Sequence, residues 1–383
     1  MRSNAKTSSL ILIILSAVLI FGFTLAFFII PDREISENEN RVLASAPELT
    51  LESLVSGKFT EDIKDYFSDQ FPLREFFINV KGMSELALGK RENNGVIYAK
   101  DGYMIDRLTA DFGAVEANLT SLSKLDSALT SRITVAVAPR KIDALGAHLP
   151  TSLSGTGTKA LSELTEITNR LGLDSVDLYS PLTNAAGNGD YVYYRTDHHI
   201  TTEGAYLIYL ALAEKLEFEP YPREYFTKET VSRDFYGTTW SASATAGIAP
   251  DEIILWRSAD DEEYTVHIID NDTSIDGFYD LSYLEKKDKY SLFLSGTNAG
   301  VTVTDGDGDR PRLLIINDSF ANSIVPFLAL HYDVEMTDPR FLKSGLYDKI
   351  ESGGYDEVLL LMNLDTLSSS PLLSVVSVGV PKE

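Results

Sequence analysis

The 383-residue chain contains no cysteine. That removes disulfides, thiolate nucleophiles, thiolate metal sites and a lipoprotein anchor, and it leaves stability to packing. Basic residues are scarce: 33 Lys and Arg stand against 57 Asp and Glu, a net charge of −24. Nucleic acid and bare anionic lipid would be repelled, so nucleic acid is excluded as a partner, while neutral or weakly charged substrates remain open. Such a balance fits a protein that stays soluble at a cell surface. Histidine is rare as well, with five in the chain.

Charge of either sign is missing from Ser8 to Ile30. A hydrocarbon core needs ~20 apolar residues, and the stretch is long enough to cross one. Arg2 and Lys6 precede it, whereas Asp32, Glu34, Glu37 and Glu39 follow, which orients the N-terminus toward the cytoplasm and everything after Pro31 outside. A cleaved signal peptide is the competing reading. Its apolar region is typically only ~7–15 residues, and the nearest small-x-small site, Ala44-Ser45-Ala46, lies well past the stretch, so length favours a retained anchor in the cell membrane.

The roughly 350 residues beyond the anchor suffice for one large domain or two smaller ones. Residues 31–112 are expected to form an N-terminal segment of linker, helices and hairpin packing on a main domain. Ile35–Arg41 is polar and aperiodic, and a helical stretch from Leu51 to Leu88 is broken by Gly57 and Phe71-Pro72 into two helices. Asn93–Ile105 alternates around Asp101-Gly102, a hairpin signal. From residue 113 to 383, continuous apolar runs alternate with helices: Ile133–Ala138, Val176–Leu178, Leu313–Ile316, Tyr332–Met336 and Val358–Leu361. Strands without alternation, separated by helices, predict an α/β domain, a doubly wound and mostly parallel sheet with helices on both faces. An insertion over about 221–304 reads as small β-structure, with Glu263–Ile268 and Tyr290–Leu294 as strands. Asp305-Gly306-Asp307-Gly308-Asp309 starts like a calcium loop, but Arg310 stands where glycine is needed, so a tight hairpin turn is expected there.

Two stretches carry chemistry. In Tyr193–Ala205, two of the histidines stand beside an aspartate just before a helix-forming run. On extended backbone Asp197 and His199 share a face, so the carboxylate can orient the imidazole. Thr201 or Thr202 then serves as N-cap, and Ala205, Ile208, Leu212 and Leu216 give the helix a buried stripe. In Leu313–Ser323 a buried strand runs into a polar turn holding Ser319. The carboxyl ends of strands in open α/β sheets open into the ligand crevice. Ser319 could be a nucleophile with His199 as its base, while backbone N–H groups and the Asn322 amide could stabilise an oxyanion. Pro326 in the following helix is tolerated if Asn322 or Ser323 is the N-cap. Serine after a strand is more commonly a turn or cap residue. Asp197, His198 and His199 could equally hold a metal or form a polar turn. Trp240 and the many tyrosines are candidates for a saccharide groove or for plain packing. Arg340, after Asp338-Pro339, is a candidate to face the Ser319 crevice.

The motifs together resemble the bacterial DHHW family, whose signature stands here as Asp197-His198-His199-Ile200. More distantly they resemble the SGNH-hydrolase-like proteins of alginate O-acetylation. The resemblance rests on Glu39-Asn40-Arg41, Asp69-Gln70-Phe71-Pro72 with Arg74, Asn94-Gly95-Val96 through Lys100-Asp101-Gly102, the strand ending at Pro139 with Lys141, Asp234-Phe235-Tyr236-Gly237-Thr238, and Asp318–Asn322 through Pro326. Ile200 replaces the signature tryptophan, Asn317 stands where glycine or lysine is usual, and Ser295-Gly296-Thr297-Asn298 approximates a Gly-Gly-Asn stretch.

What the resemblance implies is an SGNH-like fold with Asp197 as orienter, His199 as base and Ser319 as nucleophile. Asn322, Asn298, Arg340 and Lys141 are candidates for substrate or oxyanion contacts, and neither a metal nor another cofactor is expected. The implied activity is O-acetyl transfer or ester hydrolysis on a cell-surface polysaccharide, beside a membrane-bound O-acyltransferase that supplies acetyl groups. A non-catalytic polysaccharide-binding or assembly role is the alternative.

Overall fold

The computed structural model describes residues 2–36, 41–243, 245–342, 344–369 and 372–380. Glu37, Glu39 and Asn40 of the polar linker fall outside the described residues. The chain divides into two compact units, Met1–Lys90 with Ser243–Gly247, and Arg91–Ala242 with Ile248–Glu383. The hairpin grouped by sequence with the N-terminal helices falls in the second.

The first unit begins with α1 (Arg2–Ile29), whose segment Ser9–Ile29 is long and apolar enough to cross a membrane, with a mean hydropathy of 2.8. A short strand pair, β1 (Ile35–Ser36) with β2 (Arg41–Val42), follows. The stretch read as two helices is three: α2 (Leu51–Val55), α3 (Lys58–Asp69) and α4 (Arg74–Ala87). Gly57 ends the first because it takes φ +79°, a conformation that needs glycine, and Pro72 separates the other two.

The second unit opens with the antiparallel strands β3 (Glu92–Asn93), β4 (Val96–Tyr98) and β5 (Met104–Asp106), turning at Asp101-Gly102 as expected. There follow α5 (Phe112–Ala128), β6 (Ile133–Ala138), α6 (Lys141–Ala144), α7 (Thr156–Leu171), β7 (Asp174–Val176), α8 (Tyr179–Gly187) and α9 (Thr202–Ala213). The insertion contributes β8 (Thr227–Phe235), α10 (Thr238–Ser243), β9 (Asp251–Arg257), β10 (Thr265–Ile268), β11 (Thr273–Asp276) and β12 (Gly300–Thr304). The chain closes with β13 (Arg312–Asn317), α11 (Val325–Leu328), β14 (Asp333–Thr337), α12 (Leu346–Gly353), β15 (Glu357–Asn363) and α13 (Leu364–Ser368).

One eight-stranded sheet, in the order β11-β10-β12-β14-β13-β15-β6-β7, organises this unit. From β14 to β7 the strands pair in parallel, and β12, β10 and β11 add an antiparallel edge. The insertion therefore extends the main sheet, apart from the separate β8–β9 ribbon. Tyr290–Leu294 forms a 3₁₀ turn (Lys289–Leu292) rather than a strand. The turn at 305–309 is not a hairpin, because β14 lies between β12 and β13.

The continuous apolar runs are explained by burial on both faces. Leu313 and Ile315 of β13 enter one core with Leu182 of α8, Ile208 and Leu212 of α9 and Phe327 of α11. Leu314 and Ile316 enter the other, with Leu119 of α5, Leu164 of α7 and Ile350 of α12. Alternate side chains of one strand thus anchor two helical layers, the mixed α/β, doubly wound arrangement that the pattern predicts.

Candidate active site

Three neighbouring strands, β13, β15 and β6, end side by side. At the end of β13 the buried Asp318 caps a 3₁₀ turn over Ser319–Ser323, accepting from Phe320 N–H at 3.0 Å. Its other carboxylate oxygen accepts from the N–H of Asn363, the last residue of β15, at 3.0 Å and from the Thr366 hydroxyl of α13 at 2.5 Å. Pro139 O, after β6, accepts from Asn363 Nδ2 at 3.1 Å and from the Tyr193 hydroxyl at 2.6 Å. Ser319 is therefore held on a turn tied through Asp318 to the end of β15, which is in turn tied to the end of β6. Its N–H, first in the turn, has no acceptor within it. The next helix starts later than expected: Ile324 is the cap of α11, and Pro326 sits in its first turn, where a missing N–H costs nothing.

The Asp-His-His stretch is not extended. Residues 195–199 form a bend closed by a bridge between Tyr193 and Ile200, and by Tyr194 N–H to His199 O at 3.2 Å. Within the bend, Asp197 Oδ1 accepts from both His199 N–H, at 2.9 Å, and His199 Nδ1, at 2.6 Å. A two-residue spacing brings the groups together by a local turn instead of a shared strand face. Thr201 caps α9 through its hydroxyl, and Ala205, Ile208, Leu212 and Leu216 are all buried.

Lys141 fixes this bend from behind. Its buried Nζ donates to Met104 O at 2.5 Å, Arg195 O at 2.8 Å and Asp197 O at 2.9 Å. An ammonium has three protons, and all are taken. Lys141 is therefore a scaffold for the bend, not the substrate or oxyanion contact expected of it. Burial pushes its pKa down to about 8, against the pull of Asp251, Asp106 and Asp197.

His199 Nε2 lies 3.1 Å from Ser319 Oγ, which completes a hydrogen-bonded chain Asp197–His199–Ser319. An ionised carboxylate can only accept, so Nδ1 carries the imidazole proton and Nε2 presents its lone pair to the serine hydroxyl. Burial alone would raise the Asp197 pKa. The adjacent His199 and His198, the His199 hydrogen bond and the Thr238 N–H outweigh it and hold the carboxyl well below the usual carboxylate range. Asp197 Oδ2 accepts from Thr238 N–H at 2.8 Å and the Thr238 hydroxyl at 3.0 Å. Room for this carboxylate comes from Gly237, where a Cβ would lie 2.2 Å from Asp197 Oδ2. The Tyr290 ring stacks on His199 at 3.6 Å between centroids and 9° between planes. It supplies the aromatic surface that Ile200, fully buried in the core, does not.

The other nominated residues have different places. Asn322 Nδ2 donates to Gly296 O at 2.9 Å, and Asn298 Nδ2 to the carbonyls of Leu294, Ser295 and Gly296 at 3.2–3.4 Å. Among the described residues these are the only hydrogen bonds of the two amides, and both tie down the 294–296 loop. That loop needs holding, since Leu294, Ser295 and Gly296 all have positive φ, at 54°, 59° and 84°. Arg340 is paired through Nε and Nη2 with the buried Asp338, which leaves its Nη1 edge over. Trp240 is buried against Tyr236, with Lys287 Nζ 4.3 Å from its ring centre, and belongs to packing.

Sequence reasoning named no role for Thr238, Gly237 or Tyr290. The first two lie in the Asp234–Thr238 motif that it did single out. Potential metal-ligating atoms of Asp197, His198 and His199 lie within 4.8 Å of one another. His199 is already partnered at both nitrogens, and the Thr238 hydroxyl, whose proton goes to Asp197, accepts from His198 Nδ1 at 2.6 Å. A metal there would have to displace this network.

Residues 163–336 match the family model described as DHHW protein, in agreement with the resemblance carried by the motifs. No curated protein sequence matches the chain. Among solved structures, a DHHW family protein from Eubacterium siraeum superposes with a TM-score of 0.61 at 21% identity, covering 74% of this chain and 95% of that one. PatB1 of Bacillus cereus, carrying a sulfonyl adduct, does so with a TM-score of 0.61 at 16% identity, covering 73% and 98%. The O-acetyltransferase domain of Pseudomonas putida AlgJ, at 17% identity over 72% and 93%, has a TM-score of 0.45, too low to bear on the fold. At these identities the first two show a shared fold, in agreement with the mixed α/β architecture expected from the sequence.

Proposed function

We propose that this DHHW-like chain is a membrane-anchored, extracytoplasmic serine acyltransferase or esterase acting on acetyl groups of a cell-surface polysaccharide. The observation that carries the reading is the chain of short contacts from Asp197 through His199 to Ser319, 2.6 Å and 3.1 Å long. Serine is a poor nucleophile until a base takes its proton, and an imidazole held in one tautomer by an ionised carboxylate is such a base. Ser319 Oγ attacks the acetyl carbonyl while its proton passes to His199 Nε2, and Asp197 stabilises the imidazolium. The Ser319 N–H is a donor for the developing oxyanion. Collapse expels the donor alcohol, protonated by His199, and leaves an acetyl-serine. A sugar hydroxyl or water, deprotonated by His199, then resolves it.

The apolar Ser9–Ile29 segment supports anchoring, and the basic residues before it support an outward-facing second unit. A single span cannot carry an acyl group across a bilayer. A membrane-bound O-acyltransferase is therefore the partner proposed for acetyl supply.

The test is hydrolysis of a chromogenic acetate ester by the full chain in detergent. Ser319→Ala and His199→Ala are each expected to lower the rate by at least ~10³-fold, with no effect of a chelator. Loss of activity on chelation would favour a metal at Asp197, His198 and His199. Equal rates in parent and variants would leave the non-catalytic, polysaccharide-binding role.

A further inference from the structure

Uncovered apolar side chains are concentrated in the first unit. Phe67, Phe71, Leu73, Phe76, Phe77 and Val80 of α3, α4 and their connection are 41–64% exposed. Phe76, Phe77 and Val80 recur at helical spacing and line one face of α4, with Leu73 just before its first turn. Patches of this kind mark interaction surfaces.

The same corner touches α1 at defined points. Phe71 stacks on Phe23, with ring centres 5.4 Å apart, Phe77 lies 5.7 Å from that ring, and Phe67 stacks on Phe27 at 4.9 Å. Phe27 and Phe23 precede the end of the Ser9–Ile29 segment by two and six residues. At ~1.5 Å per residue they lie ~3 Å and ~9 Å inside a span whose ~32 Å length matches a ~30 Å hydrocarbon core. Interfacial helices bury their apolar faces to ~5–10 Å, the same depth.

Polar groups of the corner sort to the other side of that boundary. The Tyr66 hydroxyl donates to Asp32 at 3.1 Å, Arg33 pairs with Glu75 at 2.9 Å, and Gln70 Nε2 donates to Arg33 O at 2.9 Å, all just beyond the end of α1. An aromatic ring below and a hydrogen-bonded hydroxyl above is the arrangement of a tyrosine at a membrane surface.

We infer that the α3–α4 corner is an interfacial membrane element, with Phe67, Phe71 and Phe77 immersed in the outer leaflet beside α1 and lipid acyl chains covering the exposed face. The inference rests on the reading of α1 as a retained span. Continuity chooses the occupant. An apolar groove of about 550 Å³ runs between Leu19, Phe23 and Phe27 of α1 and Phe67 and Phe71. None of the Ser9–Ile29 window is buried by protein, so the acyl chains that surround it also reach this groove. With a net charge of −24, anionic headgroups attract the chain little, and insertion is driven by apolar burial.

Brominated acyl chains quench tryptophan only on contact. The full chain is reconstituted into phosphatidylcholine vesicles with and without bromine on the acyl chains, as parent, Phe76→Trp and Phe28→Trp. The parent's two tryptophans, Trp240 and Trp256, are buried and supply the baseline. The added emission of Phe76→Trp is expected to be largely lost in brominated vesicles, as is that of the α1 reporter Phe28→Trp. Quenching of Phe28→Trp alone, with Phe76→Trp quenched instead by aqueous acrylamide, would overturn the inference and assign the face to a protein partner. Quenching of neither would overturn the anchor itself and this inference with it.

Discussion

At the scale of single residues, Asp197 has the most to do. Its carboxylate accepts from the His199 backbone, the His199 ring and both donors of Thr238, and neighbouring charge keeps it ionised. Asp197→Asn retains the size but presents an N–H or a weaker acceptor to Nδ1, and kcat on an acetate ester is expected to fall by ~10⁴-fold. Gly237→Ala puts a methyl into the Asp197 side chain at 2.2 Å. Overpacking of this kind costs ~1–3 kcal/mol, and a displaced carboxylate should lower kcat more than it raises KM. Lys141 gives a pH dependence with a definite sign. Its pKa in the folded state, about 8, is below that of the unfolded chain, so the folded state binds the proton less tightly. Stability should then rise as pH climbs from about 8 toward the ordinary lysine range. Urea midpoints of the parent measured against Lys141→Met, which has no proton to lose, isolate that slope. The variant itself should be less stable at neutral pH, because three carbonyls, two of them in buried bonds, lose their donor.

At the scale of elements, the site is made by the ends of strands and by two irregular segments. The parallel strands were legible because residues buried on both faces leave an uninterrupted apolar run. The cap of α9 was legible to within one residue, Thr201 or Thr202, because both hydroxyls stand just before the buried stripe, and Thr201 takes the place. What could not be read was order within the sheet. No local signal says that β14 inserts between β12 and β13, and the acidic turn at 305–309 was therefore mistaken for a hairpin. The loop at Leu294–Gly296 was equally hidden, since Leu294 and Ser295 do not ordinarily take positive φ and do so here because tertiary hydrogen bonds hold them. Asn322→Ala removes one of those bonds and leaves the buried Gly296 carbonyl with the longer one from Asn298 Nδ2, at 3.2 Å. A loss of ~0.5–1.5 kcal/mol in denaturant unfolding is expected, together with slower ester turnover as the Ser319 turn loosens.

At the scale of the whole molecule, the chain joins an apolar first helix to a mixed α/β unit in which a bend before α9 carries Asp197 and His199 and the end of β13 leads into Ser319. The sequence singled out those three residues, separated by up to 122 positions, from a scarcity of histidine and from a serine placed at a strand's carboxyl end. It assigned oxyanion or substrate roles to Lys141, Asn298 and Asn322, and these became scaffold, because a donor's target depends on tertiary neighbours that composition does not contain. The central claim is that the fold turns Ser319 into a nucleophile through His199. It is tested most directly by the intact mass of the full chain after treatment with a serine-directed sulfonyl fluoride, followed by peptide mapping. One sulfonyl group on Ser319 in the parent, with none on Ser319→Ala and strongly slowed labelling of His199→Ala, is the expected result. No adduct in the parent, an adduct elsewhere, or labelling of Ser319 at an unchanged rate without His199 would contradict the account.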